Sequence, residues 1–362
     1  MTTNSVTSAV LEVDRAEPFD RLRVTDETLR AAADAVLLEV DRFGISANNL
    51  GYVLLGDVLR SWDAFPSPTP GWGRVPVWGR ARVLAAPQSV ARVGATLTGY
   101  LPMATHVSVH AEPTESGLLT TDEPRAAMLP IYRRLTLGSD DATWGDHEAD
   151  VDTAMLAVYR FAALLADDLE RAGARAVVVS SASSRTAAAL SRLLAGRGVE
   201  VTGLTSARHR RAVETFGVYH RVLAYDEVGR LPNVADAVYV DVAGSAEVTD
   251  AVRGRLGSRL AASIVVGATH LRAWPSTASV GPTATVFNTG DREVEVAAER
   301  GQSAVEALYG AARADLVPWA STWLTVTTVR GLAAAEETWR KVAAGQSDPL
   351  SAIVIRPGAT LR

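Results

Sequence analysis

The chain has 362 residues, of which 48% are hydrophobic and 21% are charged, a balance typical of a folded globular protein long enough for two domains. The net charge of −5 at pH 7 argues against a nucleic acid or an anionic membrane as partner. The absence of cysteine excludes disulfides, thiolate catalysis, iron–sulfur clusters and cysteine-ligated zinc. No apolar segment reaches the roughly 18 residues of a membrane span. The first residues show no export signal, so we expect a cytoplasmic protein.

Residues 1–150 lack long helical periodicity and are rich in glycine, proline and tryptophan. Their short strand-like runs are Ala35–Val40, Val75–Val83, Ala95–Tyr100 and His106–His110. The segment PSPTPGWGRVP, over residues 66–76, interrupts these runs with turn-forming residues. This pattern predicts a first domain, residues 1–150, that is mostly β with long excursions.

Over residues 151–300, short apolar strands alternate with helices. The predicted helices are Asp152–Arg171, Thr186–Ala195, Ala207–Phe216 and Ala246–Leu256. The predicted strands are Ala176–Val179, Val199–Leu204, Arg221–Ala224, Ala237–Val240 and Ser263–Gly267. Such alternation indicates a parallel sheet with helices on both faces. Residues 301–362 end in a strand, a helix and a final strand, and we expect them to return to the first domain, which makes the α/β domain an insertion.

The turn after the first strand of this sheet reads SSASSRT, from Ser180 to Thr186, and contains no glycine. A dinucleotide-binding turn needs free N–H groups at a helix N-terminus and side chains small enough for a pyrophosphate to approach. Serine is small, and its hydroxyl can bind phosphate or cap the helix. The candidate cofactor ligands are Ser183, Ser184, Arg185 and Thr186, the arginine through a charge-assisted contact. The alternative is that the serines only cap the helix.

The end of the second strand is basic and rich in hydroxyl groups, with the sequence TSARHRR over residues 205–211. A ribose 2′-hydroxyl usually meets an acidic residue about 20 residues beyond the turn, whereas a 2′-phosphate meets basic and hydroxyl groups. No carboxylate follows here before Glu214. The sequence therefore predicts an NADP(H) site whose phosphate ligands are Thr205, Ser206, Arg208 and Arg210. The alternative is an exposed basic first turn of a helix, which is unfavourable because the helix N-terminus is already positive.

These segments together resemble the zinc-free medium-chain dehydrogenases/reductases, in particular the quinone-oxidoreductase-like branch, over the whole chain. The similarity is carried by SSASSRTA, GLTSAR, FGVY and LAY in the α/β part, by AVLLEVDRFGISANNLGY and VGATLTGYLPMATHVSV before it, and by LAAAEETWRKVAAGQSDPLSAIVI at the end. ANNLGY, WGRVPVWG and GYLPMATH further resemble a subfamily of unknown function. The resemblance implies an α/β fold in which a Rossmann-type parallel sheet domain is inserted in a GroES-like, mostly β domain.

The resemblance also implies ligands for the 2′-phosphate. In such reductases a serine, a lysine and a tyrosine hold this group, and the matching positions are Ser206, Arg210 and Tyr225. Arginine in place of lysine still binds phosphate and can do so bidentately. The glycine turn of the family is replaced here by serine and arginine, which changes the geometry expected at the pyrophosphate. Because relatives often pair through the edge of the nucleotide-binding sheet, the resemblance also implies a homodimer.

Candidate catalytic residues must orient the substrate and polarise a carbonyl, because hydride transfer needs no nucleophile. The segment SANNLGY offers Asn49 and Tyr52, and Tyr52 could donate a proton. The alternative is an asparagine-rich turn followed by a packed tyrosine. Gly244, Gly267 and His270 follow strand ends, where ligands bind in open α/β sheets. His270 could be a proton donor near neutral pH, or alternatively a helix cap or loop residue.

No metal site is predicted, because His106 and His110 share a strand face but no third ligand is identified. The leading interpretation is a zinc-independent, NADP(H)-dependent oxidoreductase that reduces a carbonyl or a conjugated carbon–carbon double bond of a small, fairly apolar substrate. One alternative is a non-redox enzyme (a lyase, hydrolase or isomerase) on the same scaffold, supported by the missing glycines. Another is a binding protein without catalysis.

Overall fold

The computed structural model describes residues 5–30, 32–138, 145–266, 284–346 and 348–358. The chain forms two compact units. The first unit contains residues 1–156 and 324–362, and the second contains residues 157–323. The second unit therefore interrupts the first, and the predicted insertion of one domain into the other is confirmed.

The strands and α-helices of the described residues have the following bounds. The strands are β1 (Ser5–Asp14), β2 (Leu22–Arg30), β3 (Val36–Ile45), β4 (Trp72–Gly73), β5 (Pro76–Ala85), β6 (Thr96–Pro102), β7 (His106–Val109), β8 (Ala111–Thr114), β9 (Gly117–Thr120), β10 (Arg134–Leu137), β11 (Ala176–Val179), β12 (Glu200–Thr205), β13 (Arg221–Ala224), β14 (Ala237–Asp241), β15 (Leu260–Val265), β16 (Ala284–Val286), β17 (Thr325–Arg330) and β18 (Ser351–Arg356). The α-helices are α1 (Ala47–Leu54), α2 (Asp146–Arg171), α3 (Arg185–Ala195), α4 (Arg210–Glu214), α5 (Ala246–Leu256), α6 (Thr289–Arg300), α7 (Gln302–Ser321) and α8 (Leu332–Ala343).

The first unit is mostly β. In its described part, β2, β1 and β4 form one antiparallel sheet, and a larger sheet runs in the order β17-β18-β3-β5-β6-β10-β9-β8, with β7 also paired to β3. Only β17 and β18 pair in parallel there. The apolar side chains of these strands form the core, which includes Leu38, Phe43, Leu97, Leu101 and Leu135. The expected GroES-like, mostly β domain is confirmed.

The second unit contains a parallel sheet with the strand order β13-β12-β11-β14-β15-β16 within the described residues. In order of appearance this is 3-2-1-4-5-6, the order of dinucleotide-binding sheets. Strand β11, AVVV, is buried at every position, as expected for a parallel strand with both faces covered. Because β11 pairs with both β12 and β14, the strand order reverses there. The predicted Rossmann-type sheet is confirmed.

Two element boundaries differ from the sequence prediction. Helix α2 begins at Asp146 rather than Asp152, because Asp146 accepts hydrogen bonds from Arg42 and Arg356, which lower the pKa of its carboxyl. An anionic residue also stabilises the first turn of a helix. The predicted helix Ala207–Phe216 is a short 3₁₀ turn followed by α4.

The chain returns to the first unit at residue 324 rather than at residue 301. Helix α7 stays with the second unit because its side chains bind there: Trp319 Nε1 donates to the Phe216 carbonyl at 3.2 Å, and Asp315 pairs with Arg192 at 2.8 Å. None of the helices in the described ranges combines the length and apolar content needed to cross a bilayer.

Candidate functional site: the ends of strands β11 and β12

The serine-rich turn after β11 has a left-handed backbone at Ser181, where φ is +51°. Such a conformation costs a non-glycine residue about 1 kcal/mol and is where glycine would normally be found. The turn is closed by a hydrogen bond from the Ser184 N–H to the Ser181 carbonyl at 2.7 Å. Ser184 caps α3, because its hydroxyl oxygen accepts the N–H of Ala187. The turn therefore reaches a glycine-like geometry without glycine.

A buried polar cluster of Ser180, Asp241 and Thr249 joins this turn to the end of β14. The Ser180 hydroxyl donates to Asp241 Oδ1 at 2.7 Å and accepts the Ala243 N–H at 2.9 Å. Asp241 Oδ1 also accepts the Gly244 N–H at 3.0 Å, and its Oδ2 accepts the Thr249 hydroxyl at 3.1 Å. Ser180 is 0% and Asp241 4% exposed. The cluster fixes the two loops at the point where the strand order reverses.

The end of β12 carries hydroxyl groups that are buried and have no hydrogen-bond partner in the described part of the chain. These groups are Thr205 Oγ1 and Ser206 Oγ. Ser206 precedes the 3₁₀ turn Ala207–His209, yet its side chain does not cap it. Leaving a buried hydroxyl unpaired costs about 1–3 kcal/mol. The sheet places these groups beside the serine-rich turn, since the Ala182 N–H donates to the Leu204 carbonyl at 2.9 Å.

Arg185 and Arg208 bring positive charge to these loops, and neither has a carboxylate partner among the described residues. Arg185 is the first residue of α3 and is half-buried. Burial lowers the pKa of its guanidinium to about 10, so the group stays protonated at pH 7. A cation at a helix N-terminus is unfavourable unless an anion accompanies it. Arg208 is exposed in the turn after β12.

Arg210, whose role at the 2′-phosphate stays a prediction, pairs with two carboxylates that the sequence analysis did not foresee as its partners. Its Nε donates to Glu214 at 3.1 Å and its Nη1 to Glu227 at 2.8 Å. The hydrogen bond with Glu214 and the charge of Glu227 raise the pKa of Arg210. Glu227 also accepts the Ala224 N–H at 3.0 Å, the main cause of its lowered pKa. The sequence analysis did not foresee Glu227, because this residue lies in a separate segment, the 3₁₀ helix Tyr225–Arg230 after β13.

Tyr225 contacts the turn directly. Its hydroxyl oxygen accepts the Ser181 N–H at 3.1 Å, and burial raises its pKa. The role that the resemblance implies for Tyr225 at the 2′-phosphate stays a prediction, and in the structure Tyr225 joins the end of β13 to the strained residue of the turn. Tyr225 is thus one of the groups that hold Ser181 in its left-handed conformation.

The remaining predicted cofactor ligands of the second unit differ in burial and in hydrogen bonding. Ser183 and Thr186 are half-buried on either side of Ser184 and Arg185. Gly244 has φ +69°, a conformation that favours glycine, and its N–H is bound by Asp241. The two predicted residues that lie outside the described residues are Gly267 and His270.

In the first unit, Tyr52 lies in α1 and belongs to an aromatic cluster of Tyr52, Trp78, Tyr100 and Tyr132. The Tyr52 hydroxyl oxygen accepts Trp78 Nε1–H and Asn48 Nδ2–H, both at 2.9 Å. Its ring meets that of Tyr100 edge-on, with centroids 5.2 Å apart. Burial raises the pKa of Tyr100 well above its ordinary value. Tyr52 itself is 6% exposed.

Asn49 is also buried, and both ends of its side chain are bonded within the first unit. Its Oδ1 accepts the Ser46 N–H at 2.8 Å and its Nδ2 donates to the Pro76 carbonyl at 3.1 Å. Asn49, in the first turn of α1, therefore helps to cap this helix and ties it to β5. The alternative expectation of an asparagine-rich turn differs from the structure, because Ser46 and Asn49 form a capping box that starts a helix at this point.

The two histidines near β7 have separate surroundings. His106 Nδ1 lies 3.1 Å from Thr105 Oγ1, and burial lowers its pKa. His110 Nδ1 lies 2.8 Å from Asp122, whose hydrogen bond raises the pKa of His110. Within the described ranges, no group of three or more histidine, aspartate or glutamate side chains could hold a metal ion.

The inserted Rossmann-type sheet and the mostly β unit define the fold of the medium-chain dehydrogenases/reductases. CurA from Vibrio vulnificus, solved with NADPH, is 13% identical with a TM-score of 0.63, over 97% of this chain and 99% of that one. The yhdH oxidoreductase from Salmonella enterica, solved with NADP, is 16% identical with a TM-score of 0.57, over 98% and 100%. The quinone oxidoreductase from Coxiella burnetii is 12% identical with a TM-score of 0.57, over 98% and 100%.

Within this fold, the sequence belongs to the family DUF2855, described as a protein of unknown function, which matches residues 43–348. No curated protein matches the sequence.

Sequence reasoning missed Asp241 and Ser181. Asp241 ends an apolar strand in YVDVAG, and a carboxylate at such a position, followed by a small-residue loop, is a signal that could have identified it. For Ser181 there was no comparable signal, because its positive φ follows from the hydrogen bonds of the folded turn.

Proposed function

We propose that the chain is a zinc-independent oxidoreductase that binds NADP(H) at the ends of β11 and β12. The observation that carries this proposal is the pair of buried, unpartnered hydroxyls of Thr205 and Ser206 within the described structure. They lie where the second strand of a dinucleotide-binding sheet meets the adenosine ribose. Two structures of the same fold, CurA and yhdH, were solved with NADPH and NADP.

The residues present fit the phosphates of this cofactor. Thr205 and Ser206 would donate hydroxyl hydrogen bonds to the 2′-phosphate, and the exposed guanidinium of Arg208 would add a charged contact. The free N–H groups at the start of α3, with Arg185, would hold the pyrophosphate. Ser183 and Thr186 would complete that contact. Arg210 would contribute through its Nη2, since its Nε and Nη1 are bonded to Glu214 and Glu227.

The proposed reaction reduces a carbonyl or a conjugated carbon–carbon double bond of a small, fairly apolar substrate. The bound cofactor supplies a hydride, and the protein must supply a proton to complete the reduction. Tyr52 is our candidate donor, with His270 as the second. The N–H groups of Asn48 and Trp78 point at the Tyr52 oxygen and would stabilise the negative charge left on it after proton transfer. A Tyr52→Phe variant should bind NADPH normally and lose turnover.

A fluorescence titration with NADPH and NADH tests the cofactor proposal. Wild-type protein should bind NADPH about tenfold or more tightly than NADH, and Arg208→Glu should weaken NADPH while leaving NADH nearly unchanged. Arg211→Glu is the matched control, because Arg211 is exposed and carries the same charge further along the chain. Absence of NADPH binding, or an equal loss for both nucleotides, would count against the proposal.

A non-redox enzyme on the same scaffold is the second candidate. It is favoured by two contacts that occupy expected cofactor ligands: Tyr225 accepts the Ser181 N–H, and Arg210 is paired with Glu214 and Glu227. Turnover of a substrate in protein stripped of nicotinamide would support this candidate. Strict dependence on added NADPH would exclude it.

We further propose a cytoplasmic homodimer that pairs through the edge of the nucleotide-binding sheet. Strand β16 is at that edge in the described structure, and Val286 on it is 66% exposed. An exposed apolar side chain on an edge strand is suited to pairing with a second copy. Light scattering on Val286→Lys should show a shift from dimer to monomer.

A further inference from the structure

A cavity of about 240 Å³ is lined entirely by residues of the first unit. It is bounded by β1, β2, β7 and the segments around Phe65 and Asp122. Its apolar lining includes Val10, Leu29, Phe65, Pro102 and Val107. Its charged lining consists of Glu27, Arg74, Asp122, Glu123 and Arg125. Since sites for drug-sized ligands span roughly 300–1,000 Å³, this cavity suits a small molecule.

Arg125 is the unusual member of this lining, because it is 2% exposed yet has no hydrogen bond to a carboxylate in the described structure. Its Nη2 donates to the carbonyls of Tyr100 at 3.0 Å and Tyr132 at 2.8 Å. Its Nη1 is buried and has no partner among the described residues. The guanidinium carbon lies 4.6 Å from the centroid of the Phe65 ring. Burial lowers the pKa of Arg125 to about 10, so the group remains a cation at pH 7.

The nearby carboxylates are mostly engaged elsewhere. Glu27 pairs with Arg74 at 2.7 Å. The charge of Asp122 acts on Arg125 through space, but both carboxylate oxygens of Asp122 contact His110. Oδ2 accepts the His110 backbone N–H at 3.0 Å, and Oδ1 lies 2.8 Å from His110 Nδ1. Glu123 is exposed. Because burial lowers its pKa, the His106 imidazole in the lining is neutral at pH 7 and adds no charge.

We propose that this cavity binds a small organic carboxylate, whose oxygens pair with Arg125 and whose apolar part lies against Phe65 and Val10. A buried guanidinium is costly unless an anion pairs with it, and its planar N–H groups match a carboxylate. The unpartnered Nη1 is the donor that such a ligand would bind. This proposal does not rest on the proposed nucleotide phosphate contacts, which are made by residues of the second unit.

The first test compares benzoate, benzamide and benzylamine on the full chain by isothermal titration calorimetry, without nicotinamide. These probes share a ring and differ in charge. Benzoate should bind about tenfold or more tightly than benzamide, because a charge-assisted hydrogen bond is roughly twice as strong as a neutral one. Benzylamine should not bind. Equal affinity for benzoate and benzamide, or no benzoate binding, would overturn the proposal.

Two substitutions should then act in opposite directions. Arg125→Lys keeps the charge but loses the planar donor set, so benzoate binding should weaken by about tenfold. Glu123→Gln removes an exposed negative charge at the cavity, so binding should strengthen by about two-fold. Hydrogen exchange should slow at residues 122–126 on addition of benzoate. If Arg125→Lys does not fold, the Glu123→Gln affinity and the hydrogen-exchange measurement test the site instead. The proposal is refuted if Glu123→Gln leaves benzoate affinity unchanged and benzoate slows exchange only outside residues 122–126.

Discussion

Two loops at the same edge of the parallel sheet treat their buried polar groups differently. At the end of β14, the hydroxyls of Ser180 and Thr249 both donate to Asp241. At the end of β12, the hydroxyl oxygens of Thr205 and Ser206 are also buried but have no partner in the described structure. Because an unpaired buried hydroxyl is costly, the first loop is built for stability. The second carries a cost that a bound ligand would remove.

The largest expected effect comes from breaking the paired loop. Asp241→Ala should lower the free energy of unfolding by about 3 kcal/mol, since it leaves the buried donors of Ser180 and Thr249 and loop N–H groups unpaired. Urea denaturation followed by circular dichroism measures this loss. Asp241→Asn keeps one acceptor oxygen and should lose less than half as much. A loss below about 1 kcal/mol for Asp241→Ala would show that the cluster does not support the loop.

The matching change in the unpaired loop should affect binding instead of stability. Thr205→Val with Ser206→Ala removes both hydroxyls with little change in shape, so stability should stay constant or rise slightly. NADPH affinity should fall by about tenfold or more, which equals about 1.4 kcal/mol. Thr249→Val is the matched control, and it should cost about 1 kcal/mol of stability without changing NADPH affinity. The distinction between the loops fails if both threonine variants behave alike.

Removing the hydroxyl of Tyr225 should have an intermediate effect. Tyr225→Phe leaves the Ser181 N–H without its acceptor and should destabilise the chain by about 1 kcal/mol. Thermal unfolding of this variant beside wild type measures the change. Tyr132→Phe is the comparison variant, because it removes a tyrosine hydroxyl from the first unit, far along the chain from the serine-rich turn. Unchanged stability in Tyr225→Phe would mean that this contact does not hold the turn.

The smallest effect is expected from the strained serine itself. Ser181→Gly relieves about 1 kcal/mol of left-handed strain, while the greater freedom of glycine in the unfolded chain offsets about 0.5–1 kcal/mol. Its stability should therefore stay close to that of wild type. Ser183→Gly, at a residue without positive φ, should lose about 0.5–1 kcal/mol. Equal losses in the two variants would contradict the strain at Ser181.

Much of the fold was predictable from local signals. Runs such as AVVV at β11 are apolar at every position and are followed by helix-capping serines, which together indicate a strand–turn–helix unit of a parallel sheet. The end point of the inserted unit was not predictable in this way. It depends on the contacts of α7 with Phe216 and Arg192, which are distant along the sequence.

The sequence predicted which residue types lie in the candidate site, but not which side chains bond to one another there. The hydroxyls of Thr205 and Ser206 could be placed at a strand end from the sequence alone. The segment Tyr225–Arg230 after β13 makes both contacts: Glu227 pairs with Arg210 after β12, and Tyr225 accepts the Ser181 N–H in the turn after β11. Such contacts depend on the register of parallel strands and on side-chain directions, which a single sequence does not specify.

The most direct test compares 2′,5′-ADP, which is adenosine 2′,5′-bisphosphate, with 5′-AMP by calorimetry, because these two nucleotides differ only in the 2′-phosphate assigned to Thr205 and Ser206. Wild-type protein should prefer 2′,5′-ADP by about tenfold or more. This preference should disappear in the Thr205→Val, Ser206→Ala double variant. Equal affinities in the wild type, or a preference that survives the double substitution, would contradict this assignment.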